Sequence, residues 1–209
     1  MLKNITSCAL LIIDVQNDFC PGGSLAVTEG DAIIPVINNI MPQFHFIIGT
    51  QDWHPLHHVS FASSHKGKKP FDVITHKGTE QVLWPDHCVQ GTKGADFHHW
   101  LDKRSLSLII RKGVNPGIDS YSAFFENDRE TRTGLAGYLK DLDIATLYIC
   151  GLATDYCVYA SAQDALRLGF KVIILEDACR GVDFPAGSVS QALATLKKQG
   201  ALIKTSEDL

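Results

Sequence analysis

Residues 8–14 read CALLIID, a run of six apolar residues that is followed at once by an acid. A continuous apolar run, unlike an alternating one, is typical of a strand that is buried on both faces of a parallel sheet. Four more runs of this kind and a weaker sixth follow along the chain. They predict strands at 8–14, 44–52, 106–113, 146–151, 171–178 and 201–206.

Segments with helical spacing of apolar residues alternate with these strands. They cover residues 31–41, 129–142, 155–168 and 186–198. A strand followed by a helix, repeated along the chain, predicts a doubly wound α/β fold with right-handed crossovers. We expect a mainly parallel six-stranded sheet with helices on both faces, the three-layer arrangement of Rossmann-like proteins.

A chain of 209 residues is expected to form one domain, over 1–209. Residues 53–100 break the alternation of strand and helix, because they are rich in His, Gly, Lys and Pro and are longer than an ordinary connection. We interpret them as a loop-rich excursion from that domain.

Composition excludes several classes of protein. Hydrophobic residues make up 45% and charged residues 20% of the chain, which excludes a disordered, fibrous or coiled-coil protein. The formal net charge of −4 has the wrong sign for holding a phosphate backbone. The Lys-rich run HKGKK at 65–69 contains a glycine and precedes Pro70, so it is interpreted as a solvated loop. We therefore expect no nucleic-acid partner.

Cysteine usage and hydropathy indicate a reducing compartment. Six cysteines are scattered through the chain without a CxxC pair, and a chain of this size does not need disulfides to stabilise its core. The apolar run at 8–13 ends at Asp14, is too short to span a membrane, and has no signal-peptide cleavage pattern. We expect a cytoplasmic protein without a membrane partner, and leave a homo-oligomer open.

Reactive side chains stand at the ends of the predicted strands. In open α/β sheets ligands bind beyond the carboxyl ends of the strands, so residues from several strands meet at one edge. An acid, a cluster of metal-type ligands, a cation and a thiol are therefore expected to converge. The residues at these ends are Asp14, Gln51, Asp52, His54, Arg111, Lys112, Cys157, Glu176 and Asp177.

Cys157 is predicted to lie in the first turn of a helix, after Thr154 and Asp155, which are good N-cap residues. The start of a helix stabilises a thiolate, and Lys112 nearby would lower the pKa of the thiol further. Asp14, held close to both, would take the thiol proton and return it to a departing amine. The alternatives are structural: a small buried cysteine, a capping or loop acid, and an exposed lysine.

A second cluster combines a carboxylate with several imidazoles. Its members are Asp52, His54, His57, His58 and His87. Such ligands suit zinc, iron or manganese, and three protein ligands leave coordination positions for water or substrate. Pro55 prevents a simple helical HxxxH pair, and the spacing of a zinc finger is absent. Surface histidines in a loop are the structural alternative.

Five blocks of this sequence resemble the nicotinamidases, a family of the isochorismatase-like cysteine hydrolases. The resemblance runs from about Ile12 to Val182, with the blocks in the family's order. It implies the isochorismatase-like fold and hydrolysis of nicotinamide to nicotinate and ammonia through a cysteine thioester, in NAD salvage. Pyrazinamide is an expected second substrate. The blocks are DVQNDFCPGGSL from Asp14, TQDWHPLHHVSF from Thr50, WPDHCVQGT from Trp84, RKGVNPGIDSYSAF from Arg111 and GLATDYCV from Gly151.

The resemblance also implies which residues act. It implies a catalytic triad and one divalent metal ion, with zinc expected first and iron or manganese as alternatives. His58 matches a position that some relatives use as an additional metal ligand, whereas His57 falls where the family varies. The implied triad is Asp14, Lys112 and Cys157, and the implied metal ligands are Asp52, His54 and His87.

Substrate contacts follow from the same resemblance. Aromatic walls suit a flat heteroaromatic ring, although ordinary core or surface aromatics are the alternative. The backbone N–H groups of Ala153 and Cys157 would stabilise the tetrahedral oxyanion, and the peptide bond between Leu152 and Ala153 is expected to be cis. The aromatic residues that match the ring pocket of the family are Phe19, Trp84 and Tyr121.

Other functions stay open from the sequence. A superfamily amidase that acts on an N-carbamoyl or ureido substrate would use the same triad but generally lacks the full metal site. Isochorismatase does not need a thiol nucleophile. A nucleotide-binding module would need backbone N–H groups after the first strand, where this chain has DVQNDF instead of GxGxxG. A metal-storage or sensor protein would leave Lys112 and Cys157 without a role. Residues 63–79 match no function.

Overall fold

A six-stranded parallel sheet forms the centre of the computed structural model, which describes residues 7–209. The sheet has the order β5-β2-β1-β6-β7-β8, and each neighbouring pair in it is parallel. The predicted α/β class and six-stranded parallel sheet are therefore confirmed. The strands are β1 Cys8–Ile13, β2 Phe46–Asp52, β3 Val73–His76, β4 Thr79–Val82, β5 Leu108–Lys112, β6 Thr146–Leu152, β7 Lys171–Arg180 and β8 Leu202–Lys204.

Burial differs between the centre and the edges of this sheet. Every residue of β1 is buried, as the continuous apolar run predicts. The edge strands β5 and β8 are also apolar, yet they leave Ile109 and Leu202 exposed at 45% and 56%. A continuous apolar run therefore identifies a strand of a parallel sheet without distinguishing a central strand from an edge strand.

Over the described residues 7–209, four α-helices accompany the sheet, and each begins later in the chain than predicted. The largest difference is at the second helix, which was expected from residue 129. There the carboxylate of Asp128 accepts hydrogen bonds from the N–H groups of Glu130 and Thr131, and such side-chain bonds favour a turn over a helix. The helices are α1 Ile34–Ile40, α2 Leu135–Asp141, α3 Tyr159–Arg167 and α4 Ser188–Lys198.

The fifth predicted strand also ends later than expected. Strand β7 continues to Arg180, so Glu176 and Asp177 lie inside it rather than at its end. The Asp177 carboxylate accepts hydrogen bonds from the N–H and hydroxyl of Ser206, at 2.9 and 2.5 Å. These two acids therefore do not belong to the reactive group at the strand ends, a name used here for Asp14, Asp52, Lys112 and Cys157.

The order of the strands places a crevice between β1 and β6. From β1 the sheet extends toward β2 and β5 on one side, and toward β6, β7 and β8 on the other. Ligands of doubly wound sheets bind where the strand order reverses, beyond the carboxyl ends. Asp14 directly follows β1, and Cys157 lies in the turn that follows β6.

The excursion at residues 53–100 packs against this crevice. It contains the antiparallel hairpin β3–β4, and isolated β-bridges pair His54 with Val89 and Phe61 with Trp84. Phe61 and Trp84 are buried, so this segment packs around them, whereas the Lys-rich run is exposed over residues 66–69, as expected of a solvated loop. Part of the segment at 63–79 thus forms β3, while its function is still unassigned.

Two general expectations concern the number of domains and the presence of a membrane-spanning helix. The single domain over residues 1–209 stays a prediction, and residues 1–6 lie outside the described part of the chain. Within residues 7–209, no helix has the length and apolar character that crossing a membrane requires.

Candidate active site

A buried lysine lies at the centre of the reactive group. Lys112, the last residue of β5, is fully buried, and its Nζ lies 2.8 Å from Asp14 Oδ2 and 3.5 Å from Cys157 Sγ. The same ammonium donates to Asp52 Oδ1 and, at 3.3 Å, to the Ser120 carbonyl. The structure therefore brings together the three residues that the sequence argument selected at the strand ends, and adds Asp52 to them.

Asp14 is held by a tight turn and by its neighbour on β2. Its φ of 48° ends the strand in the left-handed region, and its carbonyl accepts a hydrogen bond of 2.8 Å from the Gln16 N–H. The Thr50 hydroxyl donates to Asp14 Oδ1 at 2.6 Å. The Thr50 hydroxyl thus holds Oδ1 and the ion pair with Lys112 holds Oδ2, which orients the group toward Lys112 and Cys157.

The two carboxylates on Lys112 differ in acidity. Burial raises the pKa of Asp14, the negative charge of Asp52 adds to the rise, and Lys112 offsets only part of it. Burial also opposes ionisation of Asp52, but Lys112 and His54 outweigh it and hold the pKa of that carboxyl well below its usual range. Asp52 therefore stays ionised, while Asp14 is the carboxylate suited to exchange a proton.

The acidity of Cys157 differs from the expectation. Burial raises the pKa of the Cys157 thiol well above its ordinary value; Lys112 lowers it, as expected, while the charges of Asp14 and Asp52 raise it further. A hydrogen bond with Asp14 also favours the protonated form. The predicted lowering of this pKa was wrong, because burial between two acids decides the balance. Burial therefore favours the thiol form of Cys157, with Asp14 as a hydrogen-bond partner.

The turn that carries Cys157 also differs from the prediction. Residues Thr154–Val158 form a π-helical turn ahead of α3, with no side-chain hydrogen bond at its cap. Thr154 and Asp155 are therefore not N-caps, and the Asp155 carboxylate binds backbone N–H groups after β7 instead. The N–H groups of Tyr156 and Val158 both donate to the Ala153 carbonyl.

Next to this group lie three candidate metal ligands. One ligand atom each from Asp52, His54 and His87 lies within 4.8 Å of the other two. The Nε2 atoms of His54 and His87 are 3.6 and 3.8 Å from the same oxygen, Asp52 Oδ2. All three side chains are buried.

The hydrogen bonds of the two imidazoles fit a metal ion. His54 Nδ1 lies 3.0 Å from the Gly113 carbonyl and His87 Nδ1 lies 2.8 Å from the Pro85 carbonyl. In a neutral imidazole, Nδ1–H then donates to the carbonyl and the lone pair of Nε2 faces Asp52, as in most histidine metal sites. The His54 ring also leaves no room for a side chain at residue 113, since a Cβ on Gly113 would lie 2.3 Å from His54 Cε1.

The remaining histidines of the cluster are placed differently. His58 stacks on His54 with ring centroids 4.2 Å apart. Its Nδ1 accepts a hydrogen bond from the Ser60 N–H, and its Nε2 lies 3.0 Å from the Ile118 carbonyl. Both ring nitrogens of His58 thus have protein partners. His57 is exposed.

A pocket opens onto both groups. The Trp84 indole N–H donates to the Tyr121 hydroxyl at 3.2 Å, and the Phe19 ring lies 5.5 Å from the His87 ring. These three aromatic residues line the pocket, as the resemblance implies. The complete lining is Phe19, Leu25, Val27, Asp52, Trp84, His87, Asp119, Tyr121, Ala153, Tyr156, Cys157 and Val182.

Ala153 lies at the rim of this pocket, and the peptide bond between Leu152 and Ala153 is cis. The predicted cis bond is therefore confirmed. The bond stands at the point where β6 leaves the sheet, immediately before the turn of Cys157.

Several residues at the site were missed from the sequence. Tyr156 and Val182 line the pocket, and Asp119 lines it while accepting a hydrogen bond of 2.6 Å from Gln81. Asp119 lies in the block from Arg111, so proximity to Tyr121 was a usable signal. Buried Glu126 accepts the Gly113 N–H at 3.3 Å, and no local pattern predicts this contact.

Other residues at the strand ends lie outside the cluster. The Arg111 guanidinium stacks on Trp53 at 3.8 Å, and the Gln51 amide donates to the Ala95 carbonyl at 2.9 Å. Alternation of side chains along a strand explains this, since neighbours of Asp52 and Lys112 point to the other face of the sheet.

Comparison with known proteins identifies the family of this chain. Residues 8–208 match the family model of the isochorismatase domain. A nicotinamidase of Acinetobacter baylyi is 52% identical over 199 residues, which are 95% of this chain and 92% of the relative.

Solved structures are similar over nearly the whole chain. A nicotinamidase pyrazinamidase of Acinetobacter baumanii superposes with a TM-score of 0.95 at 50% identity, covering 99% of both chains. A protein of L. infantum in complex with nicotinate gives 0.85 at 39% identity, covering 98% of this chain and 95% of that one. A pyrazinamidase of Pyrococcus horikoshii in complex with zinc gives 0.78 at 38% identity, covering 95% and 99%. The chain therefore belongs to the nicotinamidases of the isochorismatase family.

Proposed function

We propose that this protein hydrolyses nicotinamide to nicotinate and ammonia, with Cys157 as the nucleophile. One observation carries the proposal: the Cys157 sulfur, the Asp14 carboxylate and the Lys112 ammonium meet at the end of a pocket with aromatic walls. A flat aromatic amide fits such walls, and its carboxamide would reach the sulfur.

Asp14 supplies the proton transfers. It takes the Cys157 proton as the sulfur attacks the carboxamide carbon, and returns that proton to the nitrogen as ammonia leaves. The N–H groups of Ala153 and Cys157 stabilise the oxyanion of the tetrahedral intermediate. Asp14 then deprotonates a water molecule, which attacks the thioester, and the proton returns to the departing sulfur. Nicotinate is released.

Lys112 makes this proton exchange workable. Burial and the charges of Asp14 and Asp52 oppose a thiolate at rest, so a thiolate forms only as its proton moves to Asp14. The ammonium, 3.5 Å from the sulfur, stabilises the thiolate during the attack. Its own pKa is well above the usual range, because Asp14 and Asp52 outweigh the effect of burial, so it stays charged throughout.

Asp52, His54 and His87 would hold one divalent metal ion, since both imidazoles turn Nε2 toward Asp52. Zinc is proposed first, and iron or manganese would accept the same ligands. When bound, the ion would fix the pyridine nitrogen and so orient the ring. We propose that His58 lies outside this ligand set, because both of its nitrogens have protein partners.

Phe19, Trp84 and Tyr121 would bind the ring itself. Two of the three are tied together by the hydrogen bond from Trp84 to Tyr121, which fixes the width of that wall. Pyrazinamide carries its amide and ring nitrogen in the same relation, so it is expected to be hydrolysed as well.

Ammonia release from nicotinamide tests the proposal. We expect activity in the wild type, loss of at least about a thousandfold in Cys157→Ala, and little change in Cys150→Ala, which removes a thiol buried in β6. A chelated sample should lose activity and regain it with zinc, iron or manganese. Substantial activity in Cys157→Ala would refute the nucleophile, and no activity in metal-loaded wild type would refute the substrate.

A further inference from the structure

The pocket has one wall whose position depends on a residue outside the reactive group. Strands β6 and β7 run side by side, with Gly151 and Leu152 paired to Cys179 and Arg180. Beyond these pairs the two strands separate. Strand β6 leads into the turn Thr154–Val158 that carries Cys157, and strand β7 leads into the segment 181–187, in which Val182 lines the pocket.

Asp155 links the turn after β6 to the segment after β7. Its Oδ1 accepts the Val182 N–H at 3.0 Å, and its Oδ2 accepts the Asp183 N–H at 2.9 Å and the Ser188 hydroxyl at 2.5 Å. Hydrogen bonds to a carboxylate are stronger than those between neutral groups. One side chain, two residues from Cys157, thus fixes the backbone of Val182.

Two further contacts support the same bridge. Gly181 lies so close that a Cβ there would be 2.2 Å from Val189 Cγ2 and 2.9 Å from Asp155 Oδ1. On the pocket side, the Tyr156 hydroxyl donates to the Phe184 carbonyl at 2.9 Å. The segment 181–187 is therefore hydrogen-bonded to the turn of Cys157 at two places, through Asp155 and through Tyr156.

We propose that Asp155 is a positioning residue that sets the width of the ring pocket by holding Val182 at a fixed distance from Cys157. This inference rests on the proposed function for its substrate and adds to it a determinant of specificity. A fixed wall admits the flat unsubstituted ring and excludes rings with an added substituent. Loosening the wall should weaken binding of the small substrate and admit larger ones, while the proton transfers at Cys157 continue.

Asp155→Asn tests the bridge with little change in shape. The amide nitrogen would place donors against the N–H of Asp183, so at least one backbone bond is lost. We expect KM for nicotinamide to rise about tenfold with kcat within about threefold of wild type, as misplacement of a binding wall implies. The preference for nicotinamide over 5-methylnicotinamide should fall by about threefold or more.

Gly181→Ala provides a second route if Asp155→Asn folds poorly, since the added methyl pushes the same contact apart from the other side. Asp164→Asn is the matched control. Asp164 is a buried carboxylate in α3 that pairs with Arg129 and Arg167 away from the pocket lining, so its loss destabilises the fold without moving Val182. An equal rise of KM in Asp164→Asn would overturn the proposal, as would unchanged KM and preference in both wall variants.

Alkylation of Cys157 separates this inference from the proposed function. The rates with iodoacetamide and with the bulkier N-phenylmaleimide are followed by mass spectrometry of the Cys157 peptide. We expect the rate ratio to shift about threefold or more toward N-phenylmaleimide in Asp155→Asn and Gly181→Ala, and to stay constant in Asp164→Asn. If wild type fails to hydrolyse nicotinamide, the proposed substrate falls, and this ratio alone decides the role of Asp155. A constant ratio in all variants overturns it.

Discussion

The reactive group and the substrate walls are built in different ways. Asp52, Asp14 and Lys112 stand at the ends of β2, β1 and β5, and Cys157 follows β6, so four neighbouring strands each contribute one residue. Asp52 and Lys112 even face each other in the strand register. By contrast, His87, Trp84 and Tyr121 come from loops. Sheet pairing fixes the first set, whereas the second depends on individual hydrogen bonds such as those from Trp84 to Tyr121 and from His87 to Pro85.

This difference predicts different consequences of mutation. A change at a strand end alters a group whose charges are mutually dependent, so the proton transfer and the fold should suffer together. A change at a loop residue removes one contact, and it should affect binding of metal or substrate more than stability.

Lys112→Met should have the largest effect. It removes the only buried cation that the described residues place between Asp14 and Asp52, and leaves the buried Asp14 carboxylate without a counter-ion and Asp52 with only His54 and His87 beside it. We expect kcat/KM to fall about a thousandfold or more, and the free energy of unfolding to fall by about 3–5 kcal/mol. Steady-state kinetics and urea unfolding measure the two quantities.

Lys171→Met is the control for Lys112→Met, since Lys171 is exposed at the start of β7. It should leave both quantities close to wild type. If Lys112→Met kept wild-type stability and activity, the charges at the strand ends would not be interdependent, and the contrast with the loops would fail.

Metal content should separate the two buried histidines nearest to His54. His87→Ala removes a proposed ligand whose Nε2 faces Asp52, and we expect metal affinity to fall by at least about a hundredfold. His58→Gln keeps a donor and an acceptor for Ile118 and Ser60, so bound metal should stay near one ion per chain. Elemental analysis after dialysis against graded chelator measures both. Equal loss of metal in His58→Gln would make His58 a ligand.

The sequence predicted the strand ends well because position and chemistry coincide there. An apolar run that stops at an acid or a lysine marks both the end of a strand and the edge where ligands bind, which is why Asp14, Asp52 and Lys112 could be selected. The helix bounds were less accurate, because the turn at Asp128 depends on a side chain competing with the helix.

Three-dimensional surroundings explain what the sequence could not predict. The acidity of Cys157 depends on burial beside Asp14 and Asp52, which outweighs Lys112. The role of His58 depends on Ile118, a residue distant in sequence that contacts its Nε2. In the same way Val182 reaches the pocket only because Asp155 ties it to the turn of Cys157.

The smallest expected effect concerns the pKa of Asp14, which differs from that of Asp52 in the same group. Asp14 acts as a base only when ionised, so kcat/KM falls as pH drops through its pKa. An ordinary Asp has a pKa of about 3.9. Because burial raises the pKa of Asp14, activity should be lost at a higher pH than that.

Thr50→Val should move this acid limb further toward higher pH. The Thr50 hydroxyl donates to Asp14 Oδ1 at 2.6 Å and favours the charged carboxylate, so its loss raises the pKa of Asp14 again. Above the raised pKa, where Asp14 is ionised, kcat/KM should change little. The profile of kcat/KM against pH measures the shift, with Thr146→Val, at the opposite end of β6, as the control. An acid limb that stays in place, or moves to lower pH, would show that Asp14 is not the titrating base.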